Sequence, residues 1–138
     1  MTDHVLLDTG PLVAFLSARD RYHEWTKAVL DGIEAPLLTC EAVLSEACFL
    51  LRQARGGGDA VLKLVERGLV RVPFRLEADT PSVRRLLGRY SNVPMSLADA
   101  CLVRMSEQIP EAVVLTLDKD FRVYRRHGRH VIRTRMPF

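Results

Sequence analysis

The chain alternates short apolar runs with longer stretches in which apolar residues recur at helical spacing. Short apolar runs bounded by turn residues are typical of strands buried in a parallel sheet. Such runs occupy residues 5–7, 36–39, 69–72, 113–116 and, as an edge strand, 131–132. Helical spacing predicts helices over residues 12 to 17–19, 23–31, 41–54, 59–67, 81–90 and 96–106, with a short helix after residue 118. This alternation predicts an α/β fold, a three-layer sandwich around a central parallel sheet of about five strands.

The length and composition are typical of a single globular domain. A chain of 138 residues can bury its own core, and we expect one domain over residues 1–138. A content of 48% hydrophobic and 27% charged residues excludes an intrinsically disordered chain. Neither a signal peptide nor an apolar segment of the roughly 18 residues needed to span a membrane is present, which predicts a cytoplasmic protein with no membrane contact.

The cysteines do not indicate a disulfide framework or a zinc site. Cys40, Cys48 and Cys101 are odd in number and lack C-x-x-C spacing. We expect them to behave as small buried apolar residues.

Positive charge is concentrated near the carboxyl end. The net charge is only +3, but Asp120 is the one acid between residue 119 and the end of the chain. The basic residues of this stretch are Lys119, Arg122, Arg125, Arg126, Arg129, Arg133 and Arg135, with His127 and His130 among them. Such a cluster indicates either a polyanionic partner or a solvated basic tail.

Four acids occupy positions where solubility does not require an acid. Asp8 and Asp118 each come directly after an apolar strand, at the sheet edge where α/β proteins bind ligands. Glu46 borders the apolar stripe of its helix, and Asp99 projects from the apolar side of another. Carboxylates gathered at one edge would repel one another, and a divalent cation held through oxygen atoms would remove that repulsion.

Each of these acids also has a purely structural interpretation. Ser96 and Asp99 have the spacing of a capping box, so Asp99 would close the start of its own helix. Asp8 and Asp118 would cap the helices that follow them, and Glu46 would be a half-exposed residue paired with an arginine. Their recurrence at one edge of one predicted sheet favours a shared site.

Four motifs resemble those of the PIN domain family, and especially its VapC-type ribonuclease toxins from toxin–antitoxin pairs. They are V-L-L-D-T-G-P-L around Asp8, V-L-S-E around Glu46, S-L-A-D-A around Asp99 and L-T-L-D-K-D-F around Asp118. They follow one another in family order. The resemblance implies a Rossmann-like fold and an endoribonuclease dependent on Mg²⁺ or Mn²⁺. It also implies that these four acids form the metal cluster.

The resemblance extends to residues beside the acids. Thr9 matches the hydroxyl residue that supports the site in the family, and Thr116 matches the threonine of the last motif. Asp120 lies two residues after Asp118 and would share or replace its role. We favour Asp118, because the spacing from Thr116 fits the motif better.

The mechanism that we expect is metal-assisted hydrolysis of a phosphodiester bond. Asp8 and Asp99 would hold the cation most directly, and Glu46 and Asp118 would be further ligands, partly through water. The cations that we expect to hold the RNA backbone are Lys119, Arg122 and Arg125.

Two other functions use the same fold. In the first, the acids are caps and the protein is a catalytically silent module for binding RNA or protein. In the second, Asp8 is a phosphorylated nucleophile, although Thr9-Gly10-Pro11 supplies no neighbouring acid for that chemistry.

The resemblance also implies protein partners. VapC-type proteins usually form homodimers and are inhibited by a small antitoxin. Apolar residues around Phe49 to Leu51, or Trp25, would serve such contacts unless they belong to the core.

Overall fold

The chain folds as alternating strands and helices. The computed structural model describes residues 3–138, so the first two residues of the predicted domain lie outside it. In chain order the elements are β1 (His4–Leu7), α1 (Thr9–Leu16), α2 (His23–Asp31), β2 (Leu37–Leu38), α3 (Glu41–Leu50), α4 (Gly57–Glu66), β3 (Val70–Arg71), α5 (Leu76–Arg89), α6 (Leu97–Gln108), β4 (Ala112–Leu115), a 3-10 helix (Lys119–Arg122), β5 (Arg125–Arg126), β6 (His130–Val131) and β7 (Thr134–Arg135).

Five of the strands form one parallel sheet with the order β3-β2-β1-β4-β7. The six α-helices flank this sheet, which confirms the predicted three-layer α/β sandwich. The longest pairing joins β1 to β4, from His4 opposite Ala112 to Leu7 opposite Leu115. The carboxyl ends of these two central strands therefore lie side by side.

The core is centred on β1, β4 and α6. Leu6, Val114 and Leu115 are completely buried, as apolar residues of central parallel strands must be. Helix α6 is buried along most of its length, from Ala98 to Ser106. An acid near the start of such a helix is therefore withdrawn from solvent. None of the helices within residues 3–138 is long and apolar enough to cross a membrane.

The fifth strand of the sheet is β7, and its predicted position at residues 131–132 is wrong. Val131 pairs instead with Arg125 in an antiparallel hairpin of β5 and β6, and 66% of its surface is exposed. The buried residue Ile132 packs in the core after this hairpin, and Thr134 then pairs with Val114. The alternation of apolar residues was too short here to distinguish the two pairings.

Helix α5 begins at Leu76, five residues before its predicted start at Pro81. Pro81 has no N–H group to donate to the carbonyl of Glu77, which is the usual reason for a helix to stop or start at proline. The hydroxyl of Thr80 donates instead to the carbonyls of Leu76 (2.9 Å) and Glu77 (3.3 Å). The carbonyl of Glu77, which loses its partner at Pro81, thus shares the hydroxyl proton of Thr80 with the carbonyl of Leu76.

The glycine run at residues 56–58 separates two helices, as predicted. Helix α3 ends earlier than expected, at Leu50, and turns lead to α4, which begins at Gly57. Gly56 has a φ of +87°, in the left-handed region that glycine adopts readily.

Candidate active site

The central strands place Asp8 and Asp118 next to each other. Asp8 follows β1 and caps α1, where its Oδ1 accepts the N–H of Thr9 at 2.8 Å. The buried hydroxyl of Thr116, directly after β4, donates to Asp8 Oδ2 at 2.6 Å. The same hydroxyl oxygen accepts the N–H of Asp118 at 2.9 Å. Thr116 therefore links the ends of the two strands and orients both acidic segments.

Asp99 reaches the same region from the start of α6. The predicted capping box is present: Ser96 Oγ accepts the N–H of Asp99 at 3.0 Å, and Asp99 Oδ2 accepts the N–H of Ser96 at 3.3 Å. The hydroxyl of Tyr124 also donates to Asp99 Oδ2, at 3.0 Å. Within residues 3–138, Asp99 Oδ1 accepts no hydrogen bond, so one carboxylate oxygen remains available to a ligand.

The four predicted acids all line one groove at the carboxyl edge of the sheet. Glu46 comes from α3, where its side chain is exposed rather than half-buried. The groove is lined by Asp8, Thr9, Gly10, Glu46, Leu50, Pro94, Ser96, Asp99, Leu117 and Asp118. Asp8, Asp99 and Asp118 take part in capping helices and also line the groove. A capping role for these acids is therefore compatible with a role in a shared site.

The environment of Asp8 disfavours its charged form. Burial raises the pKa of Asp8 to about 6, although hydrogen bonds from Thr116 and Thr9 act in the opposite direction. The negative charges of Asp99 and Asp118 add to the rise. Asp8 is thus both desolvated and repelled by its neighbours, and a cation in the groove would relieve both effects.

The pKa values of Asp99 and Glu46 are shifted in the same direction. Burial raises the pKa of Asp99, the hydrogen bonds from Ser96 and Tyr124 lower it, and the charge of Asp118 raises it further. Although the side chain of Glu46 is exposed, the neighbouring protein atoms desolvate its carboxylate enough to raise its pKa, and the charge of Asp99 contributes. The four acids therefore form one electrostatically coupled group.

The oxygen atoms of the groove suit a hard divalent cation. Among residues 3–138, no three acidic, histidine or cysteine side chains stand close enough to make a complete metal cluster. Mg²⁺ typically keeps several water molecules and binds one or two carboxylates, which matches a spread set of acids. The hydroxyl of Thr9 is buried beside Asp8 without a hydrogen-bond partner in the described chain. A hydrated ion would satisfy such an atom.

The residues predicted after Asp118 lie outside the lining of the groove. Asp120 contacts Asp118 through its backbone, because its N–H donates to Asp118 Oδ1 at 2.9 Å. Lys119 and Arg122 lie over the ring of Phe138, at 5.0 and 5.9 Å from its centroid. Arg125 folds back, and its guanidinium donates to three backbone carbonyls, those of Arg122, Val123 and Tyr124.

Sequence reasoning missed Tyr124. It is completely buried, and its ring makes edge-to-face contacts with Tyr90 and Phe121, with centroids 5.1 and 5.2 Å apart. Burial and the charge of Asp99 raise the pKa of Tyr124, so its hydroxyl stays protonated and donates to Asp99. No spacing rule links residues 99 and 124, and only the tertiary structure reveals the contact.

The absence of a side chain at Gly10 has a packing reason. A Cβ atom there would lie 3.2–3.4 Å from three side-chain atoms of Leu117. Glycine therefore permits the close approach of α1 to the segment that carries Asp118.

The chain belongs to the PIN domain family, whose sequence model matches residues 5–126. Its structure is similar to the crystal structure of VapC20 from Mycobacterium tuberculosis, a toxin that cleaves the sarcin–ricin loop. The two share 19% sequence identity with a TM-score of 0.73, over 84% of this chain and 91% of that chain. A comparison with curated protein sequences finds no match. The predicted PIN-type fold is thereby confirmed.

Proposed function

We propose that this protein is a metal-dependent endoribonuclease that hydrolyses phosphodiester bonds of RNA. The observation that carries the proposal is the coupled group of four carboxylates, Asp8, Glu46, Asp99 and Asp118, which lines one groove. Four segments of the chain contribute one acid each. Membership of the PIN family and the similarity to a ribonuclease toxin support the choice of RNA as substrate.

Asp8 and Asp99 are the residues that would hold Mg²⁺ or Mn²⁺ most directly, with Glu46 and Asp118 as further ligands. When bound, such an ion activates water as a nucleophile and stabilises the leaving oxygen. Thr116 holds Asp8 and the Asp118 backbone, which keeps these two segments in register. Lys119, Arg122 and Arg125 are our candidates for holding the RNA backbone.

Metal dependence is the first test. We expect the purified protein to cleave a mixed RNA pool with Mg²⁺ or Mn²⁺ and to leave it intact in EDTA, because the acids alone repel both phosphate and one another. Gel electrophoresis of end-labelled RNA measures the cleavage. Equal cleavage in EDTA, in a preparation free of contaminating nuclease, would contradict the proposal.

Two other functions give different outcomes in this assay. A folded protein that binds RNA without cleaving it under either metal would be the silent binding module. Stable incorporation of phosphate at Asp8 would indicate the phosphorylated nucleophile. The raised pKa of Asp8 and the coupling of the acids favour the nuclease over both.

Single substitutions distinguish Asp118 from Asp120 as the fourth acid. We expect Asp118→Asn to reduce cleavage by about 10- to 100-fold, since groups that support a metal site typically contribute effects of that size. Asp120→Asn should stay within about threefold of the native rate, because the contact of Asp120 with Asp118 is made by its backbone N–H. The reverse order of the two effects would assign the role to Asp120.

We further propose that the protein is the toxin of a type II toxin–antitoxin pair in the cytoplasm and forms a homodimer. The similarity to VapC20 supports the toxin, and exposed apolar residues of α3 support contacts with a protein. Phe49 and Leu50 are 61% and 56% exposed, whereas Leu51 is buried. Trp25 packs against the core. The side chain of Leu50 also lines the active-site groove, so a partner on α3 would lie at its rim.

A further inference from the structure

A second concave site lies between α5, α6 and the hairpin of β5 and β6. We call it the α5–hairpin site. Its lining residues are Ser82, Arg85, Leu86, Arg89, Arg104, Glu107, His127 and Gly128. None of them lines the groove that holds the four acids.

One arginine of this site is neutralised by acids. Arg104 donates to Asp79 at 3.1 Å and to Glu107 at 3.2 Å. Its charge is therefore already balanced. Asp79 also accepts a hydrogen bond from Gln108, at 2.8 Å.

The other two arginines have no acidic partner in residues 3–138. Arg85 donates only to the hydroxyl of Ser82, at 3.0 Å, and Arg89 donates to the backbone carbonyl of Gly128. They are four residues apart on α5, so they project from the same face of the helix. Two guanidinium groups with unused donors thus line the same concave surface.

The position of Arg89 is built into the fold of the hairpin. Gly128 has a φ of +79°, and a Cβ atom added to it would lie 2.8 Å from Nη1 of Arg89. The guanidinium also lies 5.7 Å from the centre of the Tyr90 ring. A side chain at position 128 would therefore displace the guanidinium of Arg89 from the turn.

The α5–hairpin site is close enough to the acidic groove to contact the same RNA strand. Helix α6 carries Asp99 near its start and Glu107 near its end. The two residues are eight positions apart, which corresponds to about 12 Å along the helix axis. An RNA strand bound both in the acidic groove and at the α5–hairpin site would extend a few nucleotides from the cleaved bond.

We propose that Arg85 and Arg89 bind phosphate groups of the RNA backbone, outside the groove in which the strand is cut. The planar guanidinium can donate two parallel hydrogen bonds to a phosphate group, and two guanidinium groups one helical turn apart suit a ligand with repeated negative charges. Arg126 and Arg129 add positive charge to the same hairpin, although the guanidinium of Arg126 already donates to the carbonyl of Ser106. This inference rests on RNA being the substrate of the proposed function.

RNA binding in EDTA tests the site without any cleavage. We expect Arg85→Gln to weaken binding of a fluorescein-labelled single-stranded RNA of about 20 nucleotides by about 3- to 10-fold, measured by fluorescence anisotropy. The plot of log affinity against log salt concentration has a negative slope, and this slope should become shallower by about 0.7. That is the value for one lost phosphate contact to a single strand. Arg67→Gln is the matched control, because it removes the same charge from the exposed end of α4. Arg85→Lys should retain the salt slope while losing part of the affinity.

The outcomes separate this inference from the proposed function. Weaker binding by Arg85→Gln with an unchanged Arg67→Gln supports the site, even if no metal activates cleavage. Equal losses in both variants would mean a general charge effect and would overturn it, as would native affinity in Arg85→Gln. Arg85-dependent binding of polyglutamate in place of RNA would also overturn it, and would indicate an acidic protein as the ligand. If cleavage depends on metal and Arg85→Gln does not change RNA binding, the proposed nuclease function is supported and the α5–hairpin site is overturned.

Discussion

Replacing Asp99 with asparagine is expected to reduce RNA cleavage by about 1,000-fold, which corresponds to about 4 kcal/mol of transition-state stabilisation. The substitution preserves size and the ability to close the helix. The amide oxygen can accept from Ser96 and Tyr124, as Asp99 Oδ2 does now. The amide nitrogen would then take the place of Oδ1 and present a donor where a cation needs an acceptor. Single-turnover cleavage of a labelled RNA with saturating Mg²⁺ measures the loss.

The fold of the Asp99→Asn variant must be shown to be intact. Circular dichroism and the urea midpoint should be close to those of the native protein, because the capping box is retained. Asp59→Asn is the matched control, since it removes an exposed carboxylate of α4 that pairs with Lys63 at 3.5 Å. Retention of more than a tenth of the native rate by Asp99→Asn would mean that the catalytic centre lies elsewhere.

The second large effect concerns stability and pH. In EDTA, we expect the free energy of unfolding to fall by about 3 kcal/mol as pH rises from about 4 to above 6, through the titration of Asp8. The pKa of Asp8 is 3.8 when unfolded and about 6 in the fold, so the folded state binds the proton more tightly. This contribution to stability is fully present below pH 4 and is lost as pH rises through 6. Urea unfolding at several pH values measures it.

Asp8→Asn isolates this contribution. The variant should lack most of the decline and should be more stable than the native protein at pH 7 in EDTA, by about 1–3 kcal/mol. Mg²⁺ should stabilise the native protein more than the variant, since the variant lacks one of the two carboxylates expected to hold the ion most directly. A decline in stability between about pH 4 and 6 that is as steep in Asp8→Asn as in the native protein would show that other groups determine the pH dependence.

The sequence was sufficient to predict the fold class and the positions of the four acids. Short apolar runs alternating with helical spacing require a parallel sheet covered by helices, and an acid directly after such a strand must lie at its carboxyl edge. Asp8 and Asp118 therefore follow from local pattern alone. The capping box of Ser96 and Asp99 is likewise a local signal, and it is present.

Local pattern failed where a distant or neighbouring group changed the outcome. The hydroxyl of Thr80 lets α5 run through Pro81, and the pairing of Val131 with Arg125 moves the fifth strand to β7. In both places the decisive hydrogen bonds are made by groups that hydrophobic periodicity does not describe.

The sequence by itself determined that this protein has a parallel α/β sheet with acids at one edge, because strand burial and strand ends are local properties. Only the tertiary structure decided which hydrogen bonds, burial and neighbouring charges those acids have. The contacts of Thr116 with Asp8 and of Tyr124 with Asp99 join residues 108 and 25 positions apart. Burial and mutual repulsion, which raise the pKa of Asp8, likewise depend on segments that meet only in the fold. Electrostatic energy depends on distance in space, and sequence spacing does not report that distance.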